Sequence, residues 1–506
     1  MDVNNPNFWK YLADQEISRF TNSFPLNQLY EHTARPKNAI LLIGDGMSLS
    51  TVTGARYLKA ENKGKQVGEE LLSWEEWPSV SLLRTMSANR MTTDSAASAT
   101  ALFCGAKGMQ FTVGLTRGAN CCRCDTIDET QYAKSIFLLA QEAGLSTGIV
   151  TTTRVTHATP AATYAKSPSR EWEARLSNHK EGSANEKIHC QDIAQQMVSE
   201  GLDFNVIFGG GAQMFYNASI KTGRRRDDKN LLKAWSDKQE KKNRRYKLLM
   251  SKTELDRLDV QETDYVLGLF AESNMDFEVN RSDQPSLTEM TEKAISILQR
   301  NPKGFLLLVE GGRIDHGHHL NQAKIALTET LAFEGAVNAA VNLTDPQETL
   351  IVVTADHSHA YHVVGYASRT RSVLDVDDTQ KGDDDMSYLI SDYANGPGAV
   401  KDQPRGDPLN RGDLMDSNYK QQALVPLKDS THEAEDVPLY ATGAYSHLFR
   451  RSTDNTYVAY ATMFALCLGP YGDAVHCNRG DRIGTGPGQN TLLVLSIILA
   501  YFAVRR

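Results

Sequence analysis

The chain has 506 residues, of which 41% are hydrophobic and 23% charged. These proportions are ordinary for a soluble globular protein and exclude disorder or coiled coil for the bulk of the chain. The 54 Lys and Arg residues against 62 Asp and Glu residues give a net charge of −8, which argues against a dedicated nucleic-acid-binding protein.

Short apolar runs rich in Leu and β-branched residues recur along the chain, as in buried parallel strands. Segments with helical periodicity lie between them, notably residues 286–299 and 323–343. This alternation predicts an α/β fold with a large, mainly parallel central sheet and helices on both faces. The predicted strands are residues 39–43, 147–151, 206–208, 305–309 and 350–354.

Polar side chains follow four of these predicted strands. In open α/β sheets ligands bind beyond the carboxyl ends of the strands, so we expect these side chains to meet at one edge. In chain order they are Asp45; His157 and Thr159; Glu310, Asp315 and His319; and Asp356 and His357.

The types and spacing of these residues point to metal binding. Asp315 and His319 are four residues apart and share one face if their segment is helical. With a further His they would form a three-ligand zinc site with an open position. Asp356 and His357 could bind a second ion, and Asp45 could bridge from this ion to a neighbouring one. An oxygen-only set suited to magnesium comprises Asp45, Glu310 and a hydroxyl group.

A candidate nucleophile lies in the small-residue segment 93–101. Asp94 is predicted to cap a helix that begins there. Ser95 would then lie in the first turn, where the positive end of the helix stabilises an anion. Ser98 is one turn further along and lacks that position, so we favour Ser95.

Six motifs carry a family resemblance: residues 44–47, 94–96, 153–158, 309–319, 354–359 and 431–437. They resemble alkaline phosphatases of the animal, membrane-anchored type. The motifs are long and in order, and the similarity extends from Asn5 to Cys477. The resemblance implies hydrolysis of phosphate monoesters at alkaline pH through a phosphoserine intermediate, with two Zn²⁺ and one Mg²⁺ per subunit.

The resemblance also implies a role for each matching residue. Ser95 is the expected nucleophile. Arg170 is the expected phosphate-binding arginine, and its planar guanidinium could bind two phosphate oxygens at once, which Lys could not. The expected ligands are Asp315, His319 and His432 for the first zinc; Asp45, Asp356 and His357 for the second; and Asp45, Thr159 and Glu310 for magnesium, with His157 nearby. A calcium site is not expected, because residues 269–271 and 284–286 lack two carboxylates that relatives carry.

The domain organisation follows from the resemblance and from composition. Residues 368–430 are rich in Asp, Gly, Pro, Arg and Lys without an apolar period, and we interpret them as an inserted crown subdomain at a dimer interface. Residues 1–30 would be an N-terminal helical arm whose Phe8 and Trp9 cover the other subunit of a homodimer. Residues 31–367 and 431–477 would form the catalytic domain.

Residues 478–506 are predicted to be a lipid-anchor signal. A polar spacer precedes the apolar run 492–504, which is too short for an ordinary spanning helix. Asn478 is the expected attachment residue, with Asp481 as the alternative. A buried last element and a tail-anchored membrane protein remain alternatives. An anchor implies the extracellular face of the membrane, so we expect the numbering to begin after a removed signal peptide, since none is visible.

Two further features fit a secreted protein. By the resemblance, Cys124–Cys190 and Cys467–Cys477 are expected disulfides and Cys104 a reduced thiol, whereas Cys121 and Cys122 have no assigned partner. Glycosylation triplets occur at Asn217, Asn280 and Asn342.

Two other functions are alternatives. A phosphodiesterase or a sulfatase of the same superfamily is the alternative enzyme, although Ser95 is followed by Ala-Ala-Ser rather than the Pro and Arg of sulfatases. An adhesion protein is the alternative from another class, because Arg-Gly-Asp occurs at 405–407, 411–413 and 479–481. A complete metal set would have no purpose in such a protein.

Overall fold

The computed structural model describes residues 6–23 and 35–477, apart from residues 117, 120, 125–126, 175–189 and 221. The strands are β1 Asn38–Gly44, β2 Ser79–Arg84, β3 Ser146–Arg154, β4 Val206–Gly210, β5 Tyr246–Leu249, β6 Tyr265–Leu269, β7 Phe305–Gly311, β8 Thr349–Ala355, β9 Ser358–His359, β10 Tyr361–Val363, β11 Ser391–Gly396, β12 Ala423–Pro426, β13 His432–Glu433, β14 Val437–Gly443 and β15 Thr453–Asp454. The α-helices are α1 Pro6–Ser23, α2 Leu49–Asn62, α3 Ser95–Cys104, α4 Ile136–Glu142, α5 Ala158–Ala161, α6 Ile193–Met197, α7 Leu231–Lys241, α8 Lys252–Asp256, α9 Leu287–Leu298, α10 Arg313–His319, α11 Ala323–Leu343 and α12 Tyr457–Leu466.

Ten strands form one large sheet in the order β15-β2-β14-β8-β1-β7-β3-β4-β6-β5. β14 runs antiparallel to its neighbours β8 and β2, and the other pairs are parallel. β7 and β8 are buried along their whole length, as expected for central parallel strands whose faces are both covered. The predicted α/β fold is confirmed, and each predicted strand lies within an observed one.

Both helices predicted from periodicity are present. α9 begins after Ser286, whose side chain accepts from the Glu289 N–H while the Glu289 carboxylate accepts from the Ser286 N–H. This capping box satisfies two main-chain donors at the helix start. α11 spans the predicted residues 323–343 and packs against α9.

Two small sheets lie outside the large one. β10, β11 and β12 form a three-stranded sheet, and β13 pairs with β9. β11 and β12 lie in the region predicted as an insertion, 368–430, which also has its own small apolar cluster of Val376, Leu389, Leu414 and Tyr419. Although few residues of this region are apolar, they are enough to form a small separate hydrophobic cluster.

Helix α1 packs on its own chain. The Trp9 ring is only 4% exposed, and it lies 5.6 Å from the Lys107 ammonium group. The Tyr471 hydroxyl donates to the Asp14 carboxylate and holds α1 against the end of the fold. The Trp9 ring is thus buried by its own chain, and the prediction that this helix covers a second subunit stays a prediction.

The cysteines pair as the resemblance implied. Cys124 is bonded to Cys190 and Cys467 to Cys477, each with Cα atoms 5.8 Å apart, as disulfide geometry requires. Cys104 is a free thiol. Cys121 and Cys122, which had no predicted partner, are bonded to each other.

Glu329 on α11 leads to a prediction about stability. Its side chain is buried, and one carboxylate oxygen accepts from the Glu278 N–H. Burial raises the pKa of Glu329 from its ordinary 4.5 to about 7, so folding favours the protonated form. The stability that this group contributes is therefore full below pH 4.5 and is lost as the pH rises through 7. Glu329→Gln should be stabilised relative to the parent chain at pH 9, by up to about 3 kcal/mol.

Urea unfolding at pH 5.5 and pH 9 measures this effect as the change in unfolding free energy between the two pH values. The matched control is Glu292→Gln on the exposed face of α9, which should show the same pH dependence as the parent chain. An advantage of Glu329→Gln that is equal at both pH values would contradict the prediction.

Candidate functional site

The carboxyl ends of β8, β1, β7 and β3 lie side by side in the sheet. Ile43 is opposite Glu310, and Gly44 is opposite Ala355, so the residues that follow these strands are neighbours. Asp45, Glu310 and Asp356 are all fully buried there. The predicted convergence of carboxylates at one sheet edge is what the fold produces.

A tight turn after β1 makes room for this cluster. Gly46 has φ +68°, a left-handed conformation that favours glycine. A Cβ atom at this position would lie 3.2 Å from the Cα atom of Asp315. The glycine therefore lets the chain around Asp45 approach helix α10 closely.

His357 directs an unprotonated nitrogen at this cluster. Its Nδ1 lies 3.1 Å from the main-chain oxygen of Ser358, which can only accept, so Nδ1 carries the proton. Burial and the nearby His432 lower the pKa of His357 well below its usual value. The Nε2 atom therefore has a free lone pair, and it lies 3.3 Å from oxygens of both Asp45 and Asp356. These three atoms could bind one cation together.

Helix α10 supplies a second group of candidate metal ligands. Asp315 and His319 lie one turn apart, with 3.1 Å between carboxylate and Nε2. His432, on β13, brings its Nε2 within 3.3 Å of both Asp315 and His319. The Nδ1 atoms of His319 and His432 contact the main-chain oxygens of Ser430 and Thr93. The two Nε2 atoms therefore point at each other across a space that suits one cation.

His359 belongs to the same group and was missed from the sequence. Its Nε2 is buried, has no hydrogen-bond partner in the described part of the chain, and lies 3.6 Å from Asp315. One nitrogen or oxygen from each of Asp315, His319, His359 and His432 falls within 4.8 Å of the others. The two-residue spacing between His357 and His359 could have revealed His359 as a candidate ligand, because residues two apart in a strand share a face.

A third group lies on the β3 side of the edge. One oxygen of Glu310 accepts from the hydroxyls of Thr151 and Thr153, and the other has no partner within the described residues. Asp45, His157 and Glu310 place ligand atoms within 4.8 Å of one another. Thr159 is fully buried on α5, beside His157.

The electrostatics of the carboxylates around Asp45 fit bound cations. Burial raises the pKa of Asp45 well above its usual value, and the carboxylates of Asp356 and Asp315 raise it further. Burial also raises the pKa of Asp356 to about 7. Both oxygens of Asp45 and one of Asp356 have no hydrogen-bond partner among the described residues. Carboxylates this crowded ionise together only when positive charge lies between them.

Ser95 begins helix α3 at the rim of these groups. Its hydroxyl oxygen lies 3.2 Å from the Nε2 of His357. Asp94 caps the helix by accepting from the Ala96 and Ala97 N–H groups, as predicted. The nucleophile candidate is therefore held at the positive end of a capped helix.

Arg170 lies next to the same cap. Its guanidinium donates to the Asp94 carboxylate at 3.0 Å and contacts the Nε2 of His157 at 3.1 Å. Asp94 thus orients the arginine as well as capping the serine helix. The Asp94 carboxylate therefore positions both Ser95 and Arg170, the two groups that could bind a tetrahedral anion.

Known proteins share these features. A family model described as alkaline phosphatase matches residues 36–468. The tissue-nonspecific alkaline phosphatase isozyme of Gallus gallus is 38% identical over 98% of this chain and 95% of its own length. The isozyme of Homo sapiens is 37% identical over 96% of this chain and 94% of its own length.

Solved structures have the same fold. An alkaline phosphatase from Thermus thermophilus has a TM-score of 0.61 at 24% identity, covering 86% of this chain and 93% of its own. One from a Shewanella species has a TM-score of 0.61 at 24% identity, covering 85% and 99%. The chain is thus a metal-dependent hydrolase of phosphate monoesters, and it belongs to the alkaline phosphatase family.

Proposed function

We propose that the chain cleaves phosphate monoesters in two displacements at Ser95. The Ser95 oxygen attacks phosphorus and the alcohol leaves with the ester oxygen; water then attacks the phosphoserine and releases phosphate. The observation that carries this proposal is the position of the Ser95 hydroxyl at a capped helix start, 3.2 Å from His357. The proton that Ser95 loses is released to solvent, and the leaving oxygen takes up a proton from solvent.

The three residue groups are proposed as sites for two Zn²⁺ and one Mg²⁺. Asp315, His319 and His432 would hold the first zinc, and Asp45, Asp356 and His357 the second. Asp45, Thr159 and Glu310 offer oxygen atoms to magnesium, with His157 beside them. When bound, the ions stabilise the attacking and leaving oxygens and lower the pKa of water.

Arg170 is the proposed anchor for the phosphoryl group. Its planar guanidinium can donate to two phosphate oxygens while it keeps its ion pair with Asp94. Burial by itself lowers the pKa of Arg170, but the carboxylates of Asp94 and Asp45 outweigh it and raise the pKa, so the guanidinium stays charged. The substrate is thereby held with its phosphorus in front of Ser95.

The alternatives find no support. Nothing favours a phosphodiesterase or a sulfatase. In the Arg-Gly-Asp triplet at 405–407, the Arg405 guanidinium pairs with Asp384 and donates to the main-chain oxygens of Ser387 and Met386. An adhesion receptor would have to break these bonds to reach the arginine.

A homodimer is proposed from the small three-stranded sheet. β12 is its edge strand, and Leu424 on it is 83% exposed, with Val425 and Leu427 also exposed. An uncovered apolar edge strand favours pairing with another chain. A two-fold contact between two copies of β12 would cover it.

Attachment to the extracellular face of the membrane through a lipid at Asn478 is also proposed. Asn478 and the apolar run 492–504 lie outside the described residues. Between residues 6 and 477, where the structure describes them, no helix has the length and apolarity to cross a membrane. Asn280 and Asn342 are exposed and suit glycosylation, whereas the Asn217 side chain is hydrogen-bonded to Asp228.

Ser95→Ala tests the nucleophile. Without the hydroxyl no phosphoserine can form, so turnover of p-nitrophenyl phosphate should fall by at least about 10³-fold. Acid quenching with radiolabelled phosphate should trap labelled protein in the parent chain and none in the variant. Ser296→Ala, which removes an exposed hydroxyl on α9, is the control with full turnover. Near-normal turnover of Ser95→Ala at parental metal content would remove Ser95 from this role.

Leu424→Asp tests the dimer. A charge on the β12 edge should weaken a contact that buries it, so sedimentation at nanomolar concentration should detect monomers where the parent chain is dimeric. Met250→Asp places the same charge on another exposed apolar residue and should leave the mass unchanged. A parent chain that is monomeric, or a Leu424→Asp chain as dimeric as its parent, speaks against the β12 interface.

Enzyme activity at the cell surface tests the proposed lipid anchor. A phosphatidylinositol-specific phospholipase should release activity from cells that express the full chain, since a lipid would be its only attachment. A chain that ends at Cys477 should be found in the medium without this treatment. Retention of activity together with an intact C-terminal peptide would instead support a spanning tail.

A further inference from the structure

Ser98 lies one turn after Ser95 on α3 and takes no part in the proposed displacement. Its side chain is fully buried, and its hydroxyl donates to the main-chain oxygen of Asp356 at 2.5 Å. That oxygen belongs to the peptide that joins Asp356 to His357, two proposed ligands of the second zinc. The bond therefore holds the peptide on which both ligands depend.

A buried chain of hydrogen bonds continues from Ser98. The Asn455 amide nitrogen donates to the Ser98 oxygen at 3.2 Å, and the Asn455 amide oxygen accepts from the Lys107 ammonium group at 2.7 Å. Lysine can only donate and a carbonyl can only accept, so the direction of every bond is determined. The chain runs from the Lys107 cation to the Asp356 carbonyl.

Helix α1 covers the far end of this chain. Lys107 is 4% exposed, its ammonium lies 3.1 Å from Asp454, and the Trp9 ring lies 5.6 Å away. A buried cation is costly unless it is paired and shielded from water. Docking of Trp9 excludes solvent from Lys107 and so favours its bonds to Asp454 and Asn455.

We propose that Lys107, Asn455 and Ser98 are positioning residues for the second zinc site, and that docking of α1 through Trp9 raises the affinity of that site. Apolar side chains of similar volume would fill this space without the desolvation cost of a buried charge. Core packing alone therefore does not explain why a polar network is present. Its last bond ends on the ligand peptide itself. The inference rests on the proposed metal assignments.

The experiment compares zinc retention among variants of the full chain. Each zinc-loaded protein is equilibrated with buffers of stepped free Zn²⁺ concentration, and bound zinc is counted after separation. Asp356→Asn identifies which step of the parent curve belongs to the second site. Thr462→Val is the matched control, because Thr462 is a buried threonine whose hydroxyl has no partner among the described residues.

Ser98→Ala should release the second zinc at about tenfold higher free Zn²⁺, equivalent to about 1.4 kcal/mol, with the first zinc unchanged. Trp9→Ala should shift the same step in the same direction by a smaller factor, about threefold. Ser98→Thr, which keeps the hydroxyl, should restore the parental curve. Thr462→Val should leave both steps in place.

Three outcomes would overturn the inference: a Ser98→Ala curve that matches Thr462→Val, an equal shift of both zinc steps, or no restoration by Ser98→Thr in a chain with parental thermal stability. If Ser98→Ala does not fold, an unchanged second step in Trp9→Ala overturns the coupling to α1. A parent chain that binds no zinc in two steps would instead refute the metal assignments.

Discussion

The site depends on the bonds between histidine Nδ1 atoms and main-chain oxygens. His357, His319 and His432 each present Nδ1 to a carbonyl that can only accept. These bonds orient each ring so that its Nε2 faces the carboxylates of the site. At His357 burial lowers the pKa well below its usual value, so Nε2 is left as an acceptor. At His319, although burial lowers the pKa, the Asp315 carboxylate raises it to about 9, so a bound cation would take the place of the proton there.

The sheet brings these histidines to the carboxylates by two routes. Parallel strands end at one edge, which places Asp45, Glu310 and Asp356 together. His432 arrives differently, because it precedes β14, the strand that runs antiparallel to β8. The start of an antiparallel strand lies at the edge where its parallel neighbours end. A residue before β14 can therefore complete a group built on residues that follow β7.

The sequence predicted the parts of this arrangement that rest on local pattern. The runs that became β1, β7 and β8 are mostly apolar because both faces of these strands are covered, and polar residues follow each of them. β2 alternates buried and exposed residues and gave no continuous run. The direction of β14 depends on tertiary pairing, so only family resemblance pointed to His432. The burial of Trp9 by its own chain could not be predicted, because an apolar helix face does not reveal what covers it.

The position of His432 also sets an order of events during biosynthesis. Synthesis proceeds from the N-terminus, and a domain generally folds as a unit. Asp45, Asp356 and His357 leave the ribosome before His432, so the group on α10 lacks a member until residue 432 has been made. A chain that stops before β13 would therefore carry the residues around Asp45 but not the complete group on α10.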